Sequence, residues 1–213
     1  MHRSRILIAD DHKFVAELCQ NLLETEFDVI GVVNDGRALL RAASELKPDV
    51  IIVDIAMPVL NGLDAAAQVR KMFPAIKVIF LTMNSDAEVA AEGFRRGGSG
   101  YLLKTCTAPQ MVTAVRDVLR GKTYLSPTFS KDMVDFLRRQ GQELLEEGER
   151  LTDRQREVLQ LLAQGKTMKE VSDILHITTR TVNFHKYRIM DVVHARSDAD
   201  LVKYAVRNQF ITA

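Results

Sequence analysis

Five residues suited to handling phosphate and divalent cations punctuate the first half of the chain: Asp10, Asp11, Asp54, Thr82 and Lys104. Carboxylates gathered in one crevice repel unless a hard cation lies among them, and Mg²⁺ (or Mn²⁺) takes oxygen ligands while keeping several waters. A hydroxyl and an ammonium beside such a cation make a place for a phosphoryl group. A carboxylate can also act as a covalent nucleophile when a metal offsets the charge of the incoming phosphate. Taken singly these residues have plainer duties: Asp10 capping a helix, Asp54 capping its loop, Lys104 a solvated tip.

Whether they meet depends on the elements that carry them. The stretch VIIVDIAMPVLNG, Val50 to Gly62, is a β-branched run that ends on Asp54 and is followed by a loop holding Pro58. Such a run reads as a buried parallel strand, and an ionised Asp54 must then sit where that strand emerges. Strand-like runs at 5–9, 28–33, 50–54, 77–82 and 100–103 alternate with helical patterns near 13–25, 36–46, 63–73, 86–96 and 107–120. This alternation predicts a doubly wound, flavodoxin-like α/β domain with five parallel strands and right-handed crossovers. In that order strands one and three are neighbours at the switch point, where ligands bind. Asp10, Asp11, Asp54, Thr82 and Lys104 then all fall at carboxyl ends of strands.

The remainder changes character. Residues 121–150 read as a linker with a helix near 131–139, closed by the acidic stretch GQELLEEGER. From 151 onward no strand pattern occurs, and helical spacing links Val158, Leu161 and Leu162, then Val171, Ile174 and Leu175, then Val182 and Ile189. Thr152 with Gln155 and Thr167 with Glu170 have capping-box spacing, and Ser197 with Asp200 offers a third. The expectation is an all-α, four-helix domain, giving boundaries of 1–122, 123–150 and 151–213. Residues 1–122 balance their charges, whereas 151–213 hold 10 Lys+Arg against 7 Asp+Glu. Only the tail leans basic, as a nucleic-acid-binding module does.

Composition sets the remaining bounds. With 46% hydrophobic and 27% charged residues in 213, the chain is neither disordered nor fibrous. No apolar run approaches the roughly 18 residues of a spanning helix, and the N-terminus lacks a signal-peptide pattern. Cys19 and Cys106 have no metal-ligand or redox spacing. The expectation is a cytoplasmic protein with reduced thiols and no membrane partner.

The set Asp10-Asp11, Asp54, Thr82 and Lys104 on that strand order resembles the receiver domain of bacterial two-component response regulators, over residues 3–120. The segment LTDRQREVLQLLAQGKTMKEVSDILHITTRTVNFHKYRI resembles the LuxR-type helix-turn-helix domain of the NarL/FixJ branch. The resemblance implies that Asp54 accepts phosphate from a sensor histidine kinase as an acyl phosphate. It implies Mg²⁺ on Asp11, Asp54 and the Ala56 carbonyl, with Asp10 acting through water. Lys104 would pair with phosphoryl oxygens, Thr82 would swing to bond them, and Tyr101 would follow inward. It further implies a scaffold helix near 168–175 and a recognition helix near 179–193, with DNA contacts from Lys169, Thr179, Arg180, Thr181, Asn183, Phe184, Lys186, Tyr187 and Arg188. Relatives suggest a homodimer on DNA, at least when phosphorylated, and a receiver that covers the recognition helix beforehand.

Three departures from the family pattern stand out: Thr105 follows the lysine in place of proline, Asn183 stands where lysine is frequent, and Val192 replaces a usual lysine. The expected function is a phosphorylation-dependent transcriptional regulator rather than an enzyme. A Mg²⁺-dependent phosphatase would need a second carboxylate where Ala56 stands. The competing reading is a DNA-binding regulator independent of phosphate, with a vestigial or differently triggered receiver.

Overall fold

The computed structural model describes residues 3–129, 151–208 and 210–211. The expected linker helix near 131–139 and the GQELLEEGER stretch lie outside them.

The first domain is a parallel sheet of β1 (Arg5–Ala9), β2 (Asp28–Val33), β3 (Val50–Val53), β4 (Lys77–Thr82), β5 (Gly100–Leu103) and β6 (Tyr124–Leu125), in the order β2-β1-β3-β4-β5-β6. Side chains alternate across each strand and so feed two cores. Ile6, Ile8, Val50, Ile52, Ile79 and Leu81 face α1 (Lys13–Leu23) and α5 (Ala108–Leu119). Leu7, Ala9, Ile51, Val53, Val78 and Phe80 face α2 (Gly36–Leu46), α3 (Gly62–Met72) and α4 (Ala87–Arg95).

The expectation of five strands needs correcting. Residues 124–125 add a sixth, pairing Gly100 with Tyr124 and Tyr101 with Leu125. Phe129 then turns into the core and meets the Tyr101 ring edge-on at 5.7 Å. Residues 124–129, expected in the linker, thus pack on the receiver side. A two-residue strand carries no periodicity to read.

The second domain holds α6 (Asp153–Ala163), α7 (Met168–Leu175), α8 (Thr179–Val192) and α9 (Asp198–Arg207) around one apolar core with Val158, Val171, Val182, Ile189 and Leu201 at its centre. Both capping boxes form, on Thr152 and Thr167. The third is displaced by one residue: Ser197 caps the Asp200 amide, but the Asp200 carboxylate accepts from the Arg196 amide. His176 closes α7 in the left-handed conformation at φ 53, which sets the steep turn into α8.

Candidate functional site

Strand register brings the acidic residues together. Ala9 pairs with Val53, and the Asp54 amide donates to the Ala9 carbonyl at 2.8 Å, so Asp10 and Asp54 leave adjacent strands level. On the other side the Lys104 amide donates to the Thr82 carbonyl at 2.8 Å. Lys104 Nζ lies 2.8 Å from Asp54 Oδ2 and 2.9 Å from Asp10 Oδ2, with both carboxylates buried. Ligand atoms of Asp10, Asp11, His12 and Asp54 all fall within 4.8 Å of one another. Three carboxylates against one ammonium leave an excess of negative charge in a largely buried pocket, which suits a hard divalent cation.

Burial pushes the Asp54 carboxyl above its ordinary range, and its hydrogen bond to Lys104 offsets this only in part. For Lys104 burial pulls the other way, but its bonds to Asp54 and Asp10 prevail and hold the ammonium above its usual value. A raised carboxyl value means that the folded chain favours the proton, so ionised Asp54 costs stability at neutral pH and costs nothing once the pH falls below about 4. Asp54→Asn is therefore expected to raise the thermal midpoint at neutral pH, with the gain fading in acid. Equal midpoints throughout would mean that Lys104 fully offsets the burial.

The two residues expected to act as switches lie beside this pocket. Thr82 is buried, with its Oγ1 accepting from the Asn84 amide at 3.2 Å. Tyr101 is inward and fully buried, its hydroxyl donating to the Asn84 carbonyl at 3.0 Å. Its partners Phe80 and Phe129 account for that seat. Sequence reading passed over His12, whose Nδ1 stands 2.9 Å from Asp11 Oδ1.

In the second domain Thr179, Arg180, Asn183, Phe184, Tyr187 and Arg188 are exposed along one face of α8, and Lys169 is exposed near the start of α7. Phe184 and Tyr187 are 58% and 59% exposed, unusual for large rings without a partner to cover them. Arg188 lies over the Phe184 ring at 5.8 Å. Two of the expected contacts depart from this face. Lys186 Nζ turns to Asp198 Oδ1 at the start of α9, 2.5 Å away, and Thr181 is half-buried, sharing a hydroxyl bond with the cap Thr178 at 2.9 Å. His185 is half-buried against Phe184, and burial lowers its imidazole below the ordinary value.

The recognition face is not covered by the receiver. The two domains meet instead through α6, whose Arg156, Glu157 and Gln160 reach across to the first domain. Only the apolar side of α6 was legible from periodicity. The opposite stripe at 153, 156, 157 and 160 is polar, and its spacing was the available signal.

Sheet order, strand-end carboxylates and an exposed helix-turn-helix face together define a receiver joined to a DNA-binding domain. Residues 6–116 match the response regulator receiver domain, and residues 149–205 match the bacterial regulatory proteins of the luxR family. The chain belongs to the two-component response regulators with a LuxR-type DNA-binding domain, a family of transcriptional regulators typically controlled by phosphorylation. It is 33% identical to the oxygen regulatory protein NreC of Staphylococcus carnosus strain TM300, covering 97% of this chain and 99% of that one. It is 35% identical to the transcriptional regulatory protein LnrK of Bacillus subtilis strain 168, covering 95% and 96%. Among solved structures, one of two RcsB dimers bound to two parallel DNAs aligns at a TM-score of 0.57 and 26% identity, covering 95% and 98%. Among the described residues no helix is long and apolar enough to cross a membrane.

Proposed function

We propose that Asp54 is the phospho-acceptor of a cytoplasmic transcriptional regulator that takes phosphate from a sensor histidine kinase. The observation that carries this is Lys104 bridging Asp54 and Asp10 at 2.8 and 2.9 Å, on the side of the site where phosphoryl oxygens would need a cation. The Asp54 carboxylate attacks phosphorus, the bond from phosphorus to the kinase imidazole breaks, and a mixed carboxyl–phosphoryl anhydride forms. Asp11, Asp54 and the Ala56 carbonyl, with Asp10 through water, would hold Mg²⁺ or Mn²⁺, which when bound screens the charge of the incoming phosphate. Lys104 and Thr82 hold the transferred group by charge and by hydrogen bond. Turnover of a separate substrate is not part of this reading.

The tail binds DNA through α8, with Asn183, Phe184, Tyr187 and Arg188 toward base edges and Arg180 and Lys169 toward phosphates. A homodimer reads paired half-sites about one helical turn apart. Arg180→Ala is expected to weaken binding by about 1–3 kcal/mol, roughly 5- to 150-fold, as measured by a salt-controlled mobility shift. No loss would remove Arg180 from the interface.

The reading is tested by mobility shift with and without acetyl phosphate and Mg²⁺, where phosphate-dependent tightening is expected. A second reading, DNA binding independent of phosphate, has one observation in its favour: the exposed face of α8 while the two domains are in contact. Equal affinity in both arms of the assay would select it.

A further inference from the structure

His12 stands where a helix cap belongs and does not cap. It holds the N-cap position of α1 in an extended conformation, φ −88 and ψ 95, yet its side chain makes no capping bond. Ser, Thr, Asp or Asn favour that position because a short side chain with an oxygen reaches the first free amides. An imidazole gains nothing there from capping, and the first turn of α1 holds no acidic residue to pair with it.

The ring meets the acidic pocket instead. Its Nδ1 stands 2.9 Å from Asp11 Oδ1, 3.3 Å from Asp10 Oδ1 and 3.9 Å from Asp54 Oδ2. The His12 amide donates to Asp10 Oδ1 at 2.8 Å, which fixes the backbone that carries the ring. A hydrogen bond to Asp11 needs only the first of the three distances. The other two place the same nitrogen among carboxylates that follow two different strands. Six donors at about 2.1 Å from one divalent ion stand about 3.0 Å apart along octahedral edges and about 4.2 Å across the centre. The three distances span that range. The pocket also keeps a demand for positive charge. Among the described residues, buried Asp10 Oδ2 has no partner but the Lys104 ammonium, and Asp54 shares it. With its proton on Nε2, the imidazole offers a lone pair at Nδ1. The side chain is 63% exposed, so the ring can turn onto an ion without unpacking the core.

We propose that His12 is a nitrogen ligand of the pocket's divalent cation and a specificity residue that favours transition-metal ions over Mg²⁺. The inference rests on the reading of Asp11 and Asp54 as metal ligands. Mg²⁺ prefers oxygen and gives up its waters reluctantly, so an imidazole gains little in place of a retained water. First-row transition metals accept imidazole, and their affinity for such mixed sites rises from Mn²⁺ to Co²⁺. The ring therefore adds little for Mg²⁺, more for Mn²⁺ and most for Co²⁺.

The test titrates the full chain calorimetrically with each of the three ions. His12→Ala is expected to lose about 10-fold or more in Co²⁺ affinity, less in Mn²⁺ affinity, and to keep its affinity for Mg²⁺. His12→Asn puts a carbonyl oxygen where the nitrogen was, so its losses should follow the same order. The direct readout is electron spin-echo spectroscopy of bound Mn²⁺, in protein that carries ¹⁵N in its histidines alone. A ¹⁵N coupling is expected from the unaltered chain and none from His12→Ala. Equal losses for all three ions would make His12 a prop that only orients Asp11, and would overturn the proposal. Bound Mn²⁺ without nitrogen coupling would overturn it as well. Both results leave Asp11 and Asp54 as metal ligands, whereas failure of the unaltered chain to bind Mg²⁺ or Mn²⁺ overturns that reading itself.

Discussion

Asp54→Asn protein, incubated with acetyl phosphate and Mg²⁺, is expected to show no phosphoryl mass increment, whereas the unaltered chain gains one phosphoryl group. The expected loss is complete, because the amide is no nucleophile and no other carboxylate replaces it. Asp10 is equally buried, but its Oδ1 accepts from the His12 amide at 2.8 Å while its Oδ2 faces the Lys104 ammonium, and Asp11 is partly exposed beyond it. The asparagine keeps the size of the side chain, and Lys104 retains Asp10 at 2.9 Å, so the pocket stays assembled. DNA affinity of this variant should not respond to acetyl phosphate. A phosphoryl group found on Asp54→Asn protein at the level of the unaltered chain would place the acceptor elsewhere.

The second large effect lies in the backbone beside the acceptor. A Cβ on Gly62 would stand 2.0 Å from the Asp54 carbonyl oxygen and 2.8 Å from its carbon. Neither atom can yield, since the Gly62 amide is itself bonded to the Ile55 carbonyl at 2.9 Å and α3 starts at this residue. Gly62→Ala is therefore expected to cost about 3 kcal/mol, the upper end for overpacking, as read from urea midpoints. It should also slow phosphorylation, because relief of the clash moves the end of β3 that carries Asp54. Gly36 protects the same loop from the other side, where a Cβ would fall 2.2 Å from the Leu60 carbonyl. Unchanged stability in Gly62→Ala would mean that α3 can shift without disturbing the strand.

Four of the five strands legible in the sequence are buried on both faces, and β2, at the sheet edge, is half-exposed. An apolar run such as VIIV cannot be amphipathic and still fill two cores, so length and β-branching suffice to find it. The site followed, because a charge can only emerge at the end of such a run. The helix at 168–175 was legible through Thr167 and Glu170, whereas the next, placed at 179–193 by resemblance, ends at Val192 and starts on a Thr178 cap that went unread. What stayed hidden is specified by tertiary contact. Tyr124–Leu125 is a strand only because β5 offers an edge, and Tyr101 is held inward by Phe80, Phe129 and the Asn84 carbonyl, none adjacent to it in sequence. Lys186 read as a free cation until Asp198, twelve residues on, took its charge. Gln160 drew no reading, since nothing local shows that another domain covers it.

The sixth strand decides where effector modules can be exchanged among relatives. A chimaera joined at residue 122 would strip the Tyr124–Leu125 edge from β5 and remove the ring that backs Tyr101, leaving the strand that ends at Lys104 on a frayed margin. Splicing after Phe129 keeps that margin whole. The transplant would still sever the amide clasp from Gln160 unless the incoming module brings its own.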